Sequence, residues 1–167
     1  MVTSPSALPR IRTATPEDLA ALPVLEAAAD LLLEAALGHQ ALPAPKLPVP
    51  AEPVFLLVVG TPPVGFARVD EVGGQAHLEQ LSVHPDFAGH GIGRSLLQAA
   101  LAAARSRGYA SMTLCTFADV PFNAPYYASC GFKVIAEPGP ALAQVRTHEA
   151  QLGLDDLGRR IAMRIRL

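Results

Sequence analysis

One run constrains the fold of this chain more than any other: Leu81-Ser82-Val83-His84-Pro85-Asp86-Phe87-Ala88-Gly89-His90-Gly91-Ile92-Gly93-Arg94-Ser95-Leu96-Leu97. An apolar strand ends, a short loop carries glycine at three alternate positions, and a helical pattern begins. Glycines where a strand feeds a helix let backbone N–H groups approach a ligand closely. The new helix adds the positive end of its dipole, so the turn is built to receive an anion or phosphate.

The flanking patterns set the architecture. Residues 1–9 read as a flexible N-terminal arm and residues 10–167 as a single domain. Arg10 to Ala14 alternates like a strand. Thr15-Pro16-Glu17-Asp18 has the hydroxyl, the proline and the acids of a helix start, and helical character runs to Leu37 with a break expected near Pro23. The Pro-rich stretch Ala41 to Pro53 reads as a loop, either covering the site or simply connecting. Short strands follow at 54–59, 64–70 and 75–83, joined by Pro62-Pro63 and Gly73-Gly74 turns that favour antiparallel pairing. A helix from Gly91 to Arg107 leads to a strand at 111–116, and such a crossover favours parallel alignment. A short helix over 122–130, a strand at 132–136, a helix near 142–152 and a closing strand at 160–167 complete a mixed α/β sheet.

Composition removes several function classes. No apolar run approaches the roughly 20 residues that span a bilayer. No charged segment followed by an apolar one opens the chain, so a secretory leader is not expected and a cytoplasmic location is the default. A net charge of −2 gives no electrostatic reason to bind nucleic acid. Cys115 and Cys130 have no metal-ligand spacing and read as reduced, partly buried thiols; Cys115 as a covalent acyl acceptor lacks a neighbouring activator. His39, His84, His90 and His148 form no metal-like constellation, and no metal is expected.

Two familiar phosphate loops fail against the glycine run. The NTPase loop needs Gly-Lys-Ser/Thr after four residues, and the run holds no lysine. The dinucleotide fingerprint needs a third glycine where Arg94 stands, and follows a first strand rather than several antiparallel ones. The run instead resembles the pyrophosphate loop of the GNAT acetyltransferases, with Val83, Pro85, Gly91, Ile92 and Gly93 matching, and Ala88 departing from the usual Gln or Arg. A second segment, Phe122-Asn123-Ala124-Pro125-Tyr126-Tyr127-Ala128-Ser129-Cys130-Gly131-Phe132, is similar to the family motif in which an Asn precedes Tyr-x-x-x-Gly-Phe. Tyr127, by its spacing to Gly131, takes the family's tyrosine position. The stretches 116–121 and 160–164 resemble a bacterial branch of the family, so the likeness covers most of the chain after Val54.

The resemblance implies the GNAT fold, acetyl-CoA as co-substrate and transfer of the acetyl group to an amine of a small molecule or protein. Backbone N–H groups around Leu81, Ser82 and Val83 would pair with pantetheine. Those of Gly89, His90, Gly91, Ile92, Gly93 and Arg94, with Ser95 following, would form the pyrophosphate site. Tyr127 would protonate or hydrogen-bond the CoA sulfur, or else merely pack; Tyr126 is expected to pack alone. Asn123 would hold the pantetheine arm or cap the helix. His77 and Glu79 lie where family members place a base, and strand alternation predicts one face for His77, Glu79, Leu81 and Val83. A shared role is expected, with Glu79 slightly ahead for closeness to the thioester and a water relay as another route; the alternative is a solvated polar stripe. Glu26, Asp30 and Glu34 recur at four-residue spacing, an acidic stripe that is either solvated or attracts a cationic amine. A catalytically silent acyl-CoA-binding or interaction module on the same fold is the rival reading. The acceptor, acyl length and oligomeric state, a homodimer included, stay open.

Overall fold

The computed structural model describes residues 9–43 and 52–167. The expected N-terminal arm up to residue 8, and most of the Pro-rich loop, lie outside the described residues. Seven strands form one mixed sheet in the order β1-β2-β3-β4-β5-β7-β6. These are β1 (Ile11–Thr13), β2 (Phe55–Val59), β3 (Gly65–Val72), β4 (Gln75–Val83), β5 (Ser111–Phe117), β6 (Lys133–Val134) and β7 (Arg160–Arg166). Neighbours pair antiparallel except β4 and β5, which α2 (Ile92–Ser106) connects in parallel. The remaining helices are α1 (Leu22–Ala36), α3 (Ala124–Ser129), α4 (Pro140–Gln151) and α5 (Leu154–Leu157).

Several boundaries differ from the sequence expectation, each for a local reason. Pro23 does not break the first helix: it occupies the first turn of α1, where its missing N–H costs nothing. The interruption comes earlier. Thr15 and Asp18 close a capping box around a 3-10 turn, Pro16–Asp18. Arg12 then grips Asp18 with Nη1 at 2.6 Å and Nη2 at 2.9 Å. The expected strand over 132–136 shrinks to two residues at the sheet edge, and the short helix α5 was not anticipated.

The sheet's two faces differ. On one, the apolar stripe of α2 (Ile92, Leu96, Leu97, Ala100 and Ala104) packs on Leu57, Val69, Leu78, Leu114 and Met163 to make the main core. On the other, Val58 and Phe66 meet Leu22 and Leu25 of α1 in a smaller cluster.

β4 carries the irregularity that shapes the site. Arg68 of β3 faces Gln80, but the next residue, Val69, faces Leu78, so Glu79 is an extra, bulged residue. The bulge corrects the expected alternation. Directly paired residues share a face, so His77, opposite Asp70, lies on the α1 side with Gln80 and Ser82, opposite Arg68 and Phe66. Leu81 and Val83 fall on the other side, against the main core.

Candidate active site

β4 and β5 hold nine and seven residues, yet they pair only at Ala76–Met112 and His77–Thr113. Beyond those rungs the strands part, and a cleft of about 630 Å³ opens between Leu78–Val83 and Leu114–Thr116. Its further walls are Ala29, Asp30 and Leu33 of α1, the turn through Phe87 to Arg94, and Asn123, Tyr126 and Tyr127 at α3. A strand edge unpaired by a neighbour exposes N–H and C=O groups that an extended ligand can engage.

The glycine turn closes one end of this cleft. His84 and Asp86 begin a 3-10 turn, Pro85–Phe87, and Gly89 and Gly91 then take φ values of 77° and 79°. Gly91 caps α2 in this left-handed conformation, which L side chains adopt only with strain. The first N–H groups of α2 lack partners within the helix and lie where its dipole is positive. Ser95 is different: its N–H is already used by the Gly91 carbonyl at 3.0 Å. Leu81, Ser82, Val83, Gly89, Gly91, Ile92, Gly93, Arg94, Asn123 and Tyr127 all line the cleft, whereas His90 and Ser95 do not. The His90 ring instead meets the Phe87 carbonyl at 3.2 Å.

Asn123 stands at the N-cap of α3 without a capping side-chain bond; its Oδ1 accepts from the Thr116 hydroxyl at 2.8 Å. That ties α3 to β5 across the cleft floor, and the capping alternative does not hold. Tyr127 packs edge-on against Phe132, with ring centroids 5.7 Å apart, and against Tyr126 at 5.4 Å. Burial pushes the Tyr127 phenol well above its ordinary value, so it stays protonated. Tyr126, expected only to pack, also lines the cleft, and its buried hydroxyl has no partner among the described residues.

Behind the split lies a second cleft of about 510 Å³, between α1, α4 and the face of β3, β4, β5 and β7. Asp30, Leu33, Glu79, Gln80, Cys115 and Arg160 border both clefts, which marks where they meet. His77 is 2% exposed and borders only the second. Its Nδ1 meets the Thr113 hydroxyl at 2.8 Å and its Nε2 lies 3.6 Å from the Glu79 carboxylate. Burial lowers its pKa to about 4, so the ring is neutral at physiological pH. Glu79 reaches solvent at the junction, with 46% of its side chain exposed. Burial in the cleft, then Asp70 and Glu149, raise its carboxyl above the ordinary range, against the pull of Arg68 and Arg160. Cys115 has its thiol pushed up to about 12 by burial, which removes the thiolate that an acyl acceptor would need.

The stripe on α1 divides. Glu26 and Asp30 enter the second cleft, where burial raises both carboxyls. Glu34 accepts the Leu42 N–H at 2.9 Å instead. Sequence patterns singled out Glu26 and Asp30 of α1, but gave no role to Arg160 or to Ala29 and Leu33. Their placement depends on how β7 and α1 pack around the split.

Residues 26–132 match the Acetyltransferase (GNAT) family. Among solved structures, the chain is similar to the PaiA N-acetyltransferase of Thermoplasma acidophilum in complex with coenzyme A. The two are 15% identical with a TM-score of 0.67, over 95% of this chain and 98% of that one. It is similar also to N-acetylglutamate synthase of Neisseria gonorrhoeae, complexed with coenzyme A and N-acetyl-glutamate. There the identity is 16% and the TM-score 0.66, over 98% of this chain and 36% of that one. With the family matched over most of its length and the sheet split beside a glycine-capped helix, the chain belongs to the GNAT family of acetyltransferases, an acyl-CoA-dependent acyltransferase fold.

Proposed function

We propose that the protein is an acetyl-CoA-dependent N-acetyltransferase that moves an acetyl group directly to a primary amine of a small molecule or protein. The carrying observation is the convergence of Glu79 and Tyr127 on a cleft that also includes the open β4 edge and the glycine-capped start of α2. In this reading, backbone N–H groups from Gly91 to Arg94 take the pyrophosphate and the β4 edge near Leu81 to Val83 takes pantetheine. Gly89 gives the turn its left-handed bend. The donor supplies the activated acyl carbon.

The residues divide the work. Glu79 receives the proton of the attacking amine, and burial raises its carboxyl above the ordinary range, which makes it a stronger base than a solvated carboxylate. His77, buried and neutral, positions the Glu79 carboxylate from 3.6 Å away rather than acting as the base itself. Tyr127, held protonated, supplies a proton to the departing sulfur. The amine approaches through the second cleft, whose carboxyls Glu26, Asp30, Asp70 and Glu79 favour a cation.

The test is release of free thiol from acetyl-CoA across a panel of amines, together with calorimetric titration of acetyl-CoA. Tight binding with amine-dependent thiol release is expected. No binding would overturn the donor site. Binding without turnover on any amine would favour the silent acyl-CoA-binding module.

A further inference from the structure

We propose that Arg160 holds the thioester carbonyl oxygen through its Nε–H and is a catalytic residue of the transfer, a role that rests on the donor site proposed above. Three observations carry it. First, the guanidinium is fixed. Arg160 faces Phe117 across the β5–β7 register and stacks on that ring with its central carbon 4.6 Å from the centroid. Its Nη2 donates to Glu149 at 2.6 Å, and Glu149 in turn is gripped by Arg146 of α4.

Second, a buried donor is left over. The Arg160 side chain is 10% exposed, and its buried Nε has no hydrogen-bond partner among the described residues. A buried N–H on a charged group is disfavoured without an acceptor, so such a group either meets one or receives one with a ligand. Third, the place is right. Arg160 borders both clefts beside Glu79 and Cys115, where donor and acceptor meet. Its charge also acts on both of those groups. Tyr126, the other buried donor without a partner, borders only the first cleft and faces no such junction.

At that junction the group that gains negative charge is the thioester oxygen. The amine's lone pair forms the new C–N bond while the carbonyl pair moves onto oxygen, against the Arg160 Nε–H. The pair then returns, the C–S bond breaks, and its electrons leave on sulfur, which takes the Tyr127 proton. The proton lost by the amine goes to Glu79. A donor fixed before the reaction stabilises such charge with little reorganisation.

The experiment uses acetyl-CoA labelled with ¹³C at the carbonyl and reads its stretch by isotope-edited infrared difference spectroscopy on the whole protein, with no acceptor needed. A carbonyl shifted to lower frequency in the wild type, returning toward the free value in Arg160→Lys and Arg160→Met, is expected. With an active amine, Arg160→Met should lower kcat about 10²–10³-fold. Affinity for CoA, which lacks the carbonyl, should stay unchanged, and ethylguanidinium should restore part of the rate. Arg160→Lys keeps the charge and serves if the methionine variant fails to fold. A role confined to packing would weaken CoA and acetyl-CoA alike and leave the bound carbonyl shifted, overturning the proposal. Acetyl-CoA bound by the wild type with an unshifted carbonyl overturns the Arg160 role alone. No acetyl-CoA binding overturns the donor site and this role with it.

Discussion

At the residue scale, the chemistry rests on how burial sets protonation. Tyr127 keeps its proton because its half-buried ring packs against Phe132 and Tyr126, where desolvation disfavours the phenolate. Tyr127→Phe should therefore lower kcat by roughly 10²-fold, the lower range for a positioned proton donor, while calorimetry shows unchanged acetyl-CoA affinity. If Glu79 is the base proposed above, it works only when ionised, so kcat/KM should rise with pH through its raised pKa. Glu79→Gln should remove that acidic limb from the pH–rate profile. His77 gives a stability prediction with a definite sign. Its folded pKa near 4 lies below the ordinary 6.5, so between those values the unfolded chain binds a proton that the folded one does not. Stability is then lost as pH falls through that window, by about 3 kcal/mol in all at 1.36 kcal/mol per unit. The neighbouring carboxyls with raised pKa values act in the opposite sense, so the signature is the difference curve. Urea melts of the wild type against His77→Gln should diverge between pH 6.5 and pH 4, the wild type losing more. The pairing of Glu79 with His77 was legible from strand spacing. The burial that silences His77 was not, because it depends on α4 and β5.

At the element scale, α2 and the turn before it are the parts the sequence specified best. The alternation of glycines, the apolar spacing at Ile92, Leu96, Leu97 and Leu101, and the residues before Gly108 all mark one amphipathic helix, whose buried stripe in the fold is Ile92, Leu96, Leu97, Ala100 and Ala104 with Leu101 partly buried. Leu96 is fully buried in the main core, so Leu96→Ala should cost about 2–5 kcal/mol in a denaturant melt. Gly91 is another matter. A Cβ there meets nothing within 4 Å, yet φ is 79°, so the cost of a side chain is conformational rather than steric. Gly91→Ala should destabilise by about 1–2 kcal/mol and weaken CoA binding, because the turn that aims the first N–H groups of α2 would shift. β4 taught the opposite lesson. Period-2 alternation placed His77, Glu79, Leu81 and Val83 on one face, but the bulge at Glu79 resets the alternation, and no single-strand pattern encodes a partner's register.

At the scale of the whole molecule, the decisive feature is that two clefts meet through the split sheet. Glu26 and Asp30, an ambiguous stripe on an isolated helix, become the wall of the second cleft once α1 crosses the sheet. Asp30→Asn should raise KM for a cationic amine by roughly fivefold, equivalent to about 1 kcal/mol for a partly exposed charge pair, with the KM for acetyl-CoA unchanged. Steady-state kinetics varying each substrate in turn would show it. By itself the sequence determined the family fold, the glycine turn that starts α2, and the positions of Tyr127 on α3 and Glu79 on β4, because each is set by spacing within one segment. Tertiary structure alone decided that β4 and β5 part after two rungs, that β7 slots between β5 and β6, and that Arg160 arrives at the junction with an unused donor. Those outcomes depend on contacts between segments far apart in the chain, such as His77 with Thr113, 36 residues on, and Cys115 with Ala162, 47 residues on, and local pattern carries no record of them.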